Sequence, residues 1–583
     1  MKFKAIKYTA VVAAVAAGLS SCSGFLDTPT DTRVDLVNTD QVRMLMNSAY
    51  PQVSYAWPME LMSDNMEDNN APEGPGNQGI HYNLNSYDRG DEEMFRWEQC
   101  VSSTGADSPS MIWEDMYGSI AVCNAVIERL DQWEKENGKL DATQRAIYGE
   151  ALMLRSYCHF ILAQVFCEPY RGSLNANYPG IPYATKPEVT VKPHYERGTL
   201  DRTYELIEED LERAMPMIDN SLYAVPKYHF NTAAAHAYAA RFYLFTRRYQ
   251  KAFDHANLAF GGADVDASAF MSDIWTKLGE IYMISDMGLY QNGSDKATNF
   301  LLYPTHTQLL RRLGSSCRYG VIRDALNSTI YGASPAWANF QWKYNSGKGG
   351  TFTMHPCYNG ICINNGSQTE YGTVACCNVD EQFEYTDKIA GVGYTRQTRR
   401  EFFGEETLLT RAEARLFLGD EVGALADIDI WEKARRRCPS AAGYESEFRD
   451  FTLENIREFY GGDPGYGICK TINIDRICPE SDAKVSAEAV MPMLQCIQHL
   501  RRIETIHKGM RWFDIKRFGL EYDHKIGNNQ GPDYHTVDHL DVEDPRKAVQ
   551  IPAEVVAAGM QPNPRASRVP DTTLPSESYV RVH

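Results

Sequence analysis

Cys22 is the residue whose setting most clearly indicates covalent chemistry. Three early lysines, at positions 2, 4 and 7, precede an apolar run from Tyr8 to Leu19 that is too short to span a bilayer. Two serines then stand directly before Cys22, which is the pattern of a bacterial lipoprotein signal. The alternative is an ordinary secretory signal with an incidental cysteine. The sequence therefore predicts that residues 1–21 are removed, and that acyl chains on Cys22 hold the protein on a membrane outside the cytoplasm.

Aromatic side chains supply a second kind of chemistry. The chain has 34 tyrosines and 9 tryptophans, and two segments of expected loop, His81–Trp97 and Trp337–Tyr344, combine rings with amide and charged groups. Sugars bind proteins by stacking their CH faces on aromatic rings, while polar side chains bond their hydroxyls. The alternative for each ring is packing between loops and helices. The candidate ligand-binding residues are Tyr82, Tyr87, Trp97, Trp337, Asn339, Trp342 and Tyr344.

Motifs for catalysis or metal binding are missing from the sequence. It contains no Gly-x-Ser-x-Gly elbow, no Walker A loop and no His-Glu-x-x-His helix. The 77 acidic residues always allow a carboxylate pair for glycoside hydrolysis, but nothing singles one out. Asp64, Glu67 and Asp68 could bind calcium, yet they lack EF-hand spacing, so we expect a solvated acidic loop. We therefore predict no catalytic residues, no metal and no cofactor.

Composition limits the partners. Hydrophobic residues make up 43% and charged residues 23% of the 583, which are globular values, and no second long apolar stretch occurs. The net charge is -19, and the predicted mature chain is more negative because the signal carries only lysines. Without a basic patch, this charge argues against nucleic acid and anionic lipid as partners, whereas a neutral ligand is compatible.

The number and spacing of the cysteines do not determine which of them form disulfides. Of 14 cysteines, thirteen remain after lipidation of Cys22, and five cluster between positions 317 and 377. The export compartment permits disulfides, including one between the adjacent Cys376 and Cys377. The spacing does not match a standard zinc site, and pairing does not follow from sequence. The clustered residues are Cys317, Cys357, Cys362, Cys376 and Cys377.

We expect helices to form the scaffold that positions the candidate ligand-binding residues. Apolar residues at spacings of three and four predict helices over Trp113–Leu130, after a cap at Thr143, and over Leu200–Met217. Asn231–Phe260 and Glu405–Arg437 each alternate small and large residues in two helices joined by a short turn, as tetratricopeptide pairs do. Their irregular spacing along the chain argues against a plain solenoid.

The periodicity fades over residues 261–404, where Gly, Asn, Ser and Tyr increase, and again over 438–484. We therefore predict a mostly α fold, with irregular tetratricopeptide-like pairs as a scaffold over about 39–260, 405–437 and 485–520. Long loop-rich insertions with short strands interrupt the scaffold, and such loops are often functional. Residues 22–38 are expected to form the lipid anchor and tether, and residues 39–583 a single domain.

Five segments, in chain order, are Cys22-Ser23-Gly24-Phe25-Leu26-Asp27, Leu61-Met62-Ser63-Asp64-Asn65, Gly149-Glu150-Ala151-x3-Arg155-x-Tyr157, Arg501-Arg502-Ile503-Glu504 with Gly509-x-Arg511-Trp512-Phe513-Asp514, and Ile551-Pro552-Ala553-Glu554. Together they resemble the SusD/RagB family of outer-membrane nutrient-binding lipoproteins from Bacteroidetes. The likeness runs through the whole chain in order, and the fourth segment is its strongest part. Departures are Lys508, where the family usually has Glu, and Leu500, which replaces an acid.

The resemblance implies a SusD-like α-α superhelix that presents a loop-built ligand site. It implies a cell-surface protein of the outer membrane that captures glycans or oligosaccharides for nutrient uptake and delivers them to a SusC-like TonB-dependent transporter. Alternatives are a peptide-binding lid of such a transporter, a surface glycosidase, or a helical-repeat scaffold without a small ligand. For the motif residues Glu504, Arg511 and Asp514 we expect a buried ion-pair network rather than an active site.

Overall fold

The computed structural model describes most of the chain. The described residues are 36–68, 88–103, 105–188, 195–273, 284–313, 318–320, 333–337, 342–345, 351–354, 379–435, 449–462, 467–526 and 535–565. The chain divides into two compact units, Met1–Met44 and Leu45–His583. Of the first unit, only residues 36–44 are described. The predicted signal, Cys22 and most of the tether lie outside the described residues.

Helices dominate the described chain, so the predicted mostly α fold class is confirmed. None of the described helices is both long and apolar enough to cross a membrane. The helices are α1 (Thr39–Asn47), α2 (Ala56–Leu61), α3 (Arg89–Phe95), α4 (Pro109–Asn137), α5 (Ala142–Phe166), α6 (Leu200–Ala214), α7 (Thr232–Phe245), α8 (Tyr249–Ala259), α9 (Ile284–Gln291), α10 (Leu309–Arg312), α11 (Gly404–Phe417), α12 (Glu421–Arg435), α13 (Leu453–Gly461), α14 (Ile474–Ile477), α15 (Met491–Glu504), α16 (Met510–Phe518) and α17 (Ala553–Ala557).

Local sequence signals set the ends of the long helices. The hydroxyl of Ser108 accepts from the main chain to begin α4, and Gly138 ends it with a φ of 82°. Asp141, rather than the expected Thr143, caps α5, because its side chain and that of Gln144 form a reciprocal capping box. Helix α5 is buried along almost its whole length and contacts both α4 and α6.

Two helix pairs have the predicted tetratricopeptide character. α7 and α8 pack together after a tight turn in which Arg247 has a φ of 57°. α11 and α12 are joined at Gly419, whose φ of 84° favours glycine. α8 and α15 each contact α11, so the second pair joins the first to the C-terminal helices. Buried alanines line α7, which allows this close approach.

In the described part of the chain, three small sheets accompany the helices. The orders are β2-β7-β6, β3-β1-β8-β9 and β4-β5. Strand β7 is longer than the short strands expected in the insert, because it pairs antiparallel with both β2 and β6 before leading directly into α11. The strands are β1 (Glu67–Asp68), β2 (Asn299–His306), β3 (Tyr319–Gly320), β4 (Trp342–Asn345), β5 (Thr351–Met354), β6 (Gln382–Asp387), β7 (Val392–Phe403), β8 (Tyr522–Ile526) and β9 (His535–Leu540).

Arginine–carboxylate pairs are buried in the helical core. The structure confirms that the three motif residues of the C-terminal helices are structural, since each has a buried partner of opposite charge. Such pairs need complete hydrogen bonding to offset their desolvation. The pairs are Glu504 with Arg435 at 2.5 Å, Asp514 with Arg517 at 2.7 Å, and Arg511 with Asp64 at 2.7 Å.

Lys508 is an exception to this pairing. It lies in the turn between α15 and α16 with 8% of its surface exposed, and its Nζ has no hydrogen-bond partner among the described residues. Nζ lies 5.1 Å from the centre of the Phe403 ring. Burial, and then the charge of Arg400, lower the pKa of Lys508 to about 8. The charged lysine therefore destabilises the fold near neutral pH.

Replacing Lys508 with methionine is expected to stabilise the protein by about 1–3 kcal/mol at pH 7, because the substitution removes a desolvated charge and keeps the volume. The folded pKa is depressed, so the unfolded chain binds the proton more tightly. The advantage of Lys508→Met should therefore shrink as the pH rises from about 8 to 10.5. Urea unfolding at several pH values measures this.

The matched control is Lys139→Met at an exposed position, where we expect a change within about 0.5 kcal/mol. A destabilising effect of Lys508→Met at pH 7 would show that the ammonium group has a favourable environment instead.

Candidate functional site

The structure describes only part of the predicted ligand site. Tyr82, Tyr87 and Asn339 lie outside the described residues. Trp342 and Tyr344 are described through their main chain, as alternate residues of β4. They are in register with Met354 and Phe352 of β5, respectively. Alternate positions of a strand fall on one face of a sheet, so both lie on the same face of this hairpin.

Trp97 is a packing residue in the structure. It is 2% exposed, and its Nε1 donates to the carbonyl of Met62 at 2.9 Å. The indole stacks on His524 with ring centres 4.2 Å apart, and the guanidinium of Arg546 lies 5.2 Å from its centre. The expectation that Trp97 offers an open ring face to a sugar is therefore corrected by its burial. Burial also lowers the pKa of His524 to about 4.

Trp337 is also enclosed. It is 3% exposed, and its ring meets Phe451 edge-on at 6.0 Å and His499 at 5.9 Å. It packs the short segment 333–337 against α15 and the residues that precede α13. The packing alternative thus applies to Trp337 as well, and sequence composition carried no signal for the burial of either tryptophan.

Ion pairs are formed by described residues close to the ends of three undescribed segments, 69–87, 314–317 and 321–332. We call Asp68, Asp88, Asp91, Asp107, Arg312 and Arg318 the loop-stem cluster. Arg318 donates to Asp68 at 3.0 and 2.8 Å, and both side chains are less than 10% exposed. This pair joins the adjacent strands β1 and β3, from which two of the segments depart.

Arg312 is the centre of the other half of the cluster. It contacts Asp91 at 2.6 Å, Asp88 at 3.4 Å and Asp107 at 3.9 Å. The indole of Trp57 also donates to Asp91, at 2.8 Å. Burial raises the pKa of Asp91 to about 6, although Arg312 opposes the shift and the two other carboxylates add to it. Three carboxylates thus share one guanidinium, which makes Arg312 essential to this region.

Sequence reasoning missed an exposed pair of rings. Phe383 and Tyr385 are alternate residues of β6, with exposures of 42% and 51%, and their ring centres are 4.8 Å apart. Gly393 of β7 stands opposite Tyr385, and a Cβ at Gly393 would approach the Phe383 ring to 2.8 Å. We call Phe383 and Tyr385 the hairpin aromatic pair. The alternation Phe-Glu-Tyr was the available signal, hidden in a region assigned to loops.

Comparisons with known proteins agree with this architecture. Residues 24–244 match the SusD-like family that is described as starch-binding and associating with the outer membrane. Over these residues the chain is similar to the SusD-like family, as the sequence resemblance predicted. No curated protein matches it.

Solved SusD-like structures share the fold along most of the chain. A SusD superfamily protein from Bacteroides thetaiotaomicron has a TM-score of 0.54 at 16% identity, covering 91% of this chain and 100% of its own. One from Bacteroides vulgatus has a TM-score of 0.56 at 16% identity, covering 91% and 99%. A SusD-like carbohydrate-binding protein from Bacteroides vulgatus has a TM-score of 0.53 at 13% identity, covering 89% and 96%.

Two segments that carried the SusD/RagB resemblance meet in space. The carboxylate of Asp64 accepts from Arg511 at 2.7 and 2.8 Å and lies 3.5 Å from Arg502. Burial opposes this charge, but Arg502 and Arg511 hold the pKa of Asp64 well below its usual range. The expected solvated loop is therefore wrong for Asp64 and Asp68, since both are buried and paired with arginine. The calcium alternative weighed for this cluster would require both carboxylates to leave these partners.

Arg312→Leu is expected to destabilise the protein by about 2–4 kcal/mol, because it leaves buried carboxylates without a counter-charge. Arg311→Leu is the matched control on the same helix. Arg311 is 58% exposed and pairs with Glu381 at 3.1 Å, so its loss should cost less than about 1 kcal/mol. Denaturant unfolding of both variants measures the difference, and equal costs would contradict the central role of Arg312.

Proposed function

We propose that this SusD-like protein captures glycans or oligosaccharides at the cell surface. The observation that carries the proposal is the match of residues 24–244 to a family described as starch-binding. A fold relative described as carbohydrate-binding adds support. The proposed role is binding without turnover, as expected for a family defined by ligand capture.

Ligand contacts in this proposal come from the predicted loop residues other than Trp97 and Trp337, together with the hairpin aromatic pair. Trp342 and Tyr344 are carried by the β4–β5 hairpin, and Tyr82, Tyr87 and Asn339 complete the loop set predicted from sequence. The hairpin aromatic pair adds two rings with large exposed fractions. Glu384 falls between the two rings in sequence and therefore on the other face of β6, where it pairs with Arg396 at 3.0 Å. Trp97 and Trp337 would act indirectly, by packing beneath the loops.

Delivery to a SusC-like TonB-dependent transporter is the second part of the proposal. It rests on the resemblance of the motif segments and on the family's association with the outer membrane. A lipid on Cys22, as the leader pattern predicts, would keep the protein beside such a transporter in the outer membrane. Stable anchoring of this kind requires two or more acyl chains.

A peptide ligand is the alternative that one observation favours. Within the described sheet β2-β7-β6, β6 is an edge strand, and an edge strand can pair with an extended peptide through main-chain hydrogen bonds. Rings beside that edge, such as Tyr385, could then receive alternate peptide side chains. A glycan does not use this edge, so main-chain pairing separates the two ligand classes.

Native affinity electrophoresis in gels containing a panel of plant and host polysaccharides tests glycan capture by residues 23–583. We expect one polysaccharide to retard the protein, and Trp342→Ala or Tyr385→Ala to weaken binding about tenfold, because each change removes one stacking surface. Tyr228→Ala, at a ring 44% exposed elsewhere, should leave the retardation unchanged.

Trp337→Ala does not serve as a contact test, because it opens a cavity in the core and should cost about 3–5 kcal/mol of stability. Retardation by no polysaccharide in the panel, together with binding of an extended peptide library, would replace glycan by peptide as the ligand class.

A further inference from the structure

A cavity of about 930 Å³ lies between the residues that follow α3 and the β8–β9 hairpin. Its wall includes Trp97, the hairpin residue His539, and the carboxylates Glu521 and Asp541. None of these three polar residues belongs to the loop-stem cluster or to the proposed glycan contacts. The cavity is therefore a separate feature of the C-terminal part of the chain.

Three potential metal ligands converge on this wall. One ligand atom each from Glu521, His539 and Asp541 lies within 4.8 Å of the others, and all three residues are exposed. The Nε2 of His539 is 3.3 Å from a carboxylate oxygen of Asp541. Two ligand atoms bound to one tetrahedral zinc ion are about 3.4 Å apart. The His539–Asp541 spacing thus fits a shared ion, and the ligand atom of Glu521 lies no more than 4.8 Å from the other two.

A hydrogen bond to Asp523 fixes the orientation of the His539 ring. Its Nδ1 lies 2.7 Å from the carboxylate of Asp523, so Nδ1 carries the proton of the neutral ring and donates it to this bond. Nε2 then presents its lone pair toward Asp541 and Glu521. A carboxylate that fixes the histidine tautomer in this way is a common support of metal-binding histidines.

Charge balance distinguishes Glu521 and Asp541 from Glu543 and Asp544 of the same wall. Most arginines there already have carboxylate partners, and Arg565 donates to main-chain carbonyls. Among the described residues, no lysine or arginine forms an ion pair with Glu521 or Asp541, and both lie close to the same histidine. The occupied pairs are Arg96 with Glu92 at 3.3 Å, Arg476 with Glu543 at 2.9 Å, and Arg546 with Asp544 at 2.6 Å.

We infer that Glu521, His539 and Asp541 form a binding site for a divalent transition-metal ion of the zinc class. One imidazole and two carboxylates suit zinc, whereas calcium and magnesium prefer sites built from oxygen atoms alone. Three protein ligands leave a fourth position open toward the cavity, where water or a donor atom of a ligand can bind. The site would also tie the start of β8 to the end of β9. This inference does not depend on glycan capture.

Isothermal titration of residues 23–583 with Zn²⁺ is the first test. We expect a site that His539→Ala weakens by more than about tenfold and that Asp523→Asn weakens by about 10- to 100-fold, since Asp523 only orients the ring. His236→Ala changes a histidine of α7 whose Nδ1 lies 2.9 Å from that of His255; it is the matched control and should bind as the parent does. Because His539 is 47% exposed, its variant should keep the metal-free melting temperature.

Visible absorption of Co²⁺ in the same proteins identifies the ligand atoms. Bands typical of nitrogen and oxygen ligands, lost in His539→Ala, would support the site. A spectrum dominated by thiolate charge transfer that persists in His539→Ala would place the ion on cysteines and overturn the inference. Equal Zn²⁺ affinity of the parent and His539→Ala, or binding of Ca²⁺ without Zn²⁺, would also overturn it and leave His539 and Asp541 as an ordinary ion pair.

Discussion

The buried ion pair between Asp64 and Arg511 links the N-terminal and C-terminal parts of the fold. It joins residues 447 positions apart in sequence, and so fixes the segment after α2 against α16. Arg502 reinforces it by donating to the main-chain carbonyl of Asp64 and to the side chain of Asn65. A buried carboxylate without such partners would destabilise the fold strongly. The pairing therefore requires that the N-terminal and C-terminal parts of the chain fold together.

This constraint extends to the region that carries the loops. Asp64 is followed closely by β1, whose Asp68 holds Arg318 beside β3, and β1 also pairs with β8. The stack of Phe95, His524 and Trp97 covers the same small sheet. The described residues next to segments 69–87 and 321–332 are thus held in place by ion pairs and ring packing. A ligand site in these segments, as proposed, would vary in sequence while that base is kept.

The sequence predicted features that depend on neighbouring residues better than features that depend on contacts between residues distant in sequence. The helices and the tetratricopeptide pairs follow from local periodicity, and the small residues of α7 indicated close packing directly. The burial of Trp97 depends on His524 and Arg546, more than 400 residues away in sequence, so local composition could not reveal it. The hairpin aromatic pair depends on the pairing of β7 with β2 and β6, and a 12-residue strand was hidden among glycine-rich and polar residues.

The proposal that exposed rings on a rigid helical scaffold capture the ligand can be tested by hydrogen–deuterium exchange. The exchange is measured with and without the polysaccharide that retards the protein in affinity electrophoresis. We predict slower exchange in peptides from 342–354 and 382–396 when the polysaccharide is present. Peptides of α5 and of α15–α16 should exchange at the same slow rate in both states, because the buried ion pairs already hold them. Slower exchange confined to the helix pair α7–α8, or an equal change along the whole scaffold, would contradict the account.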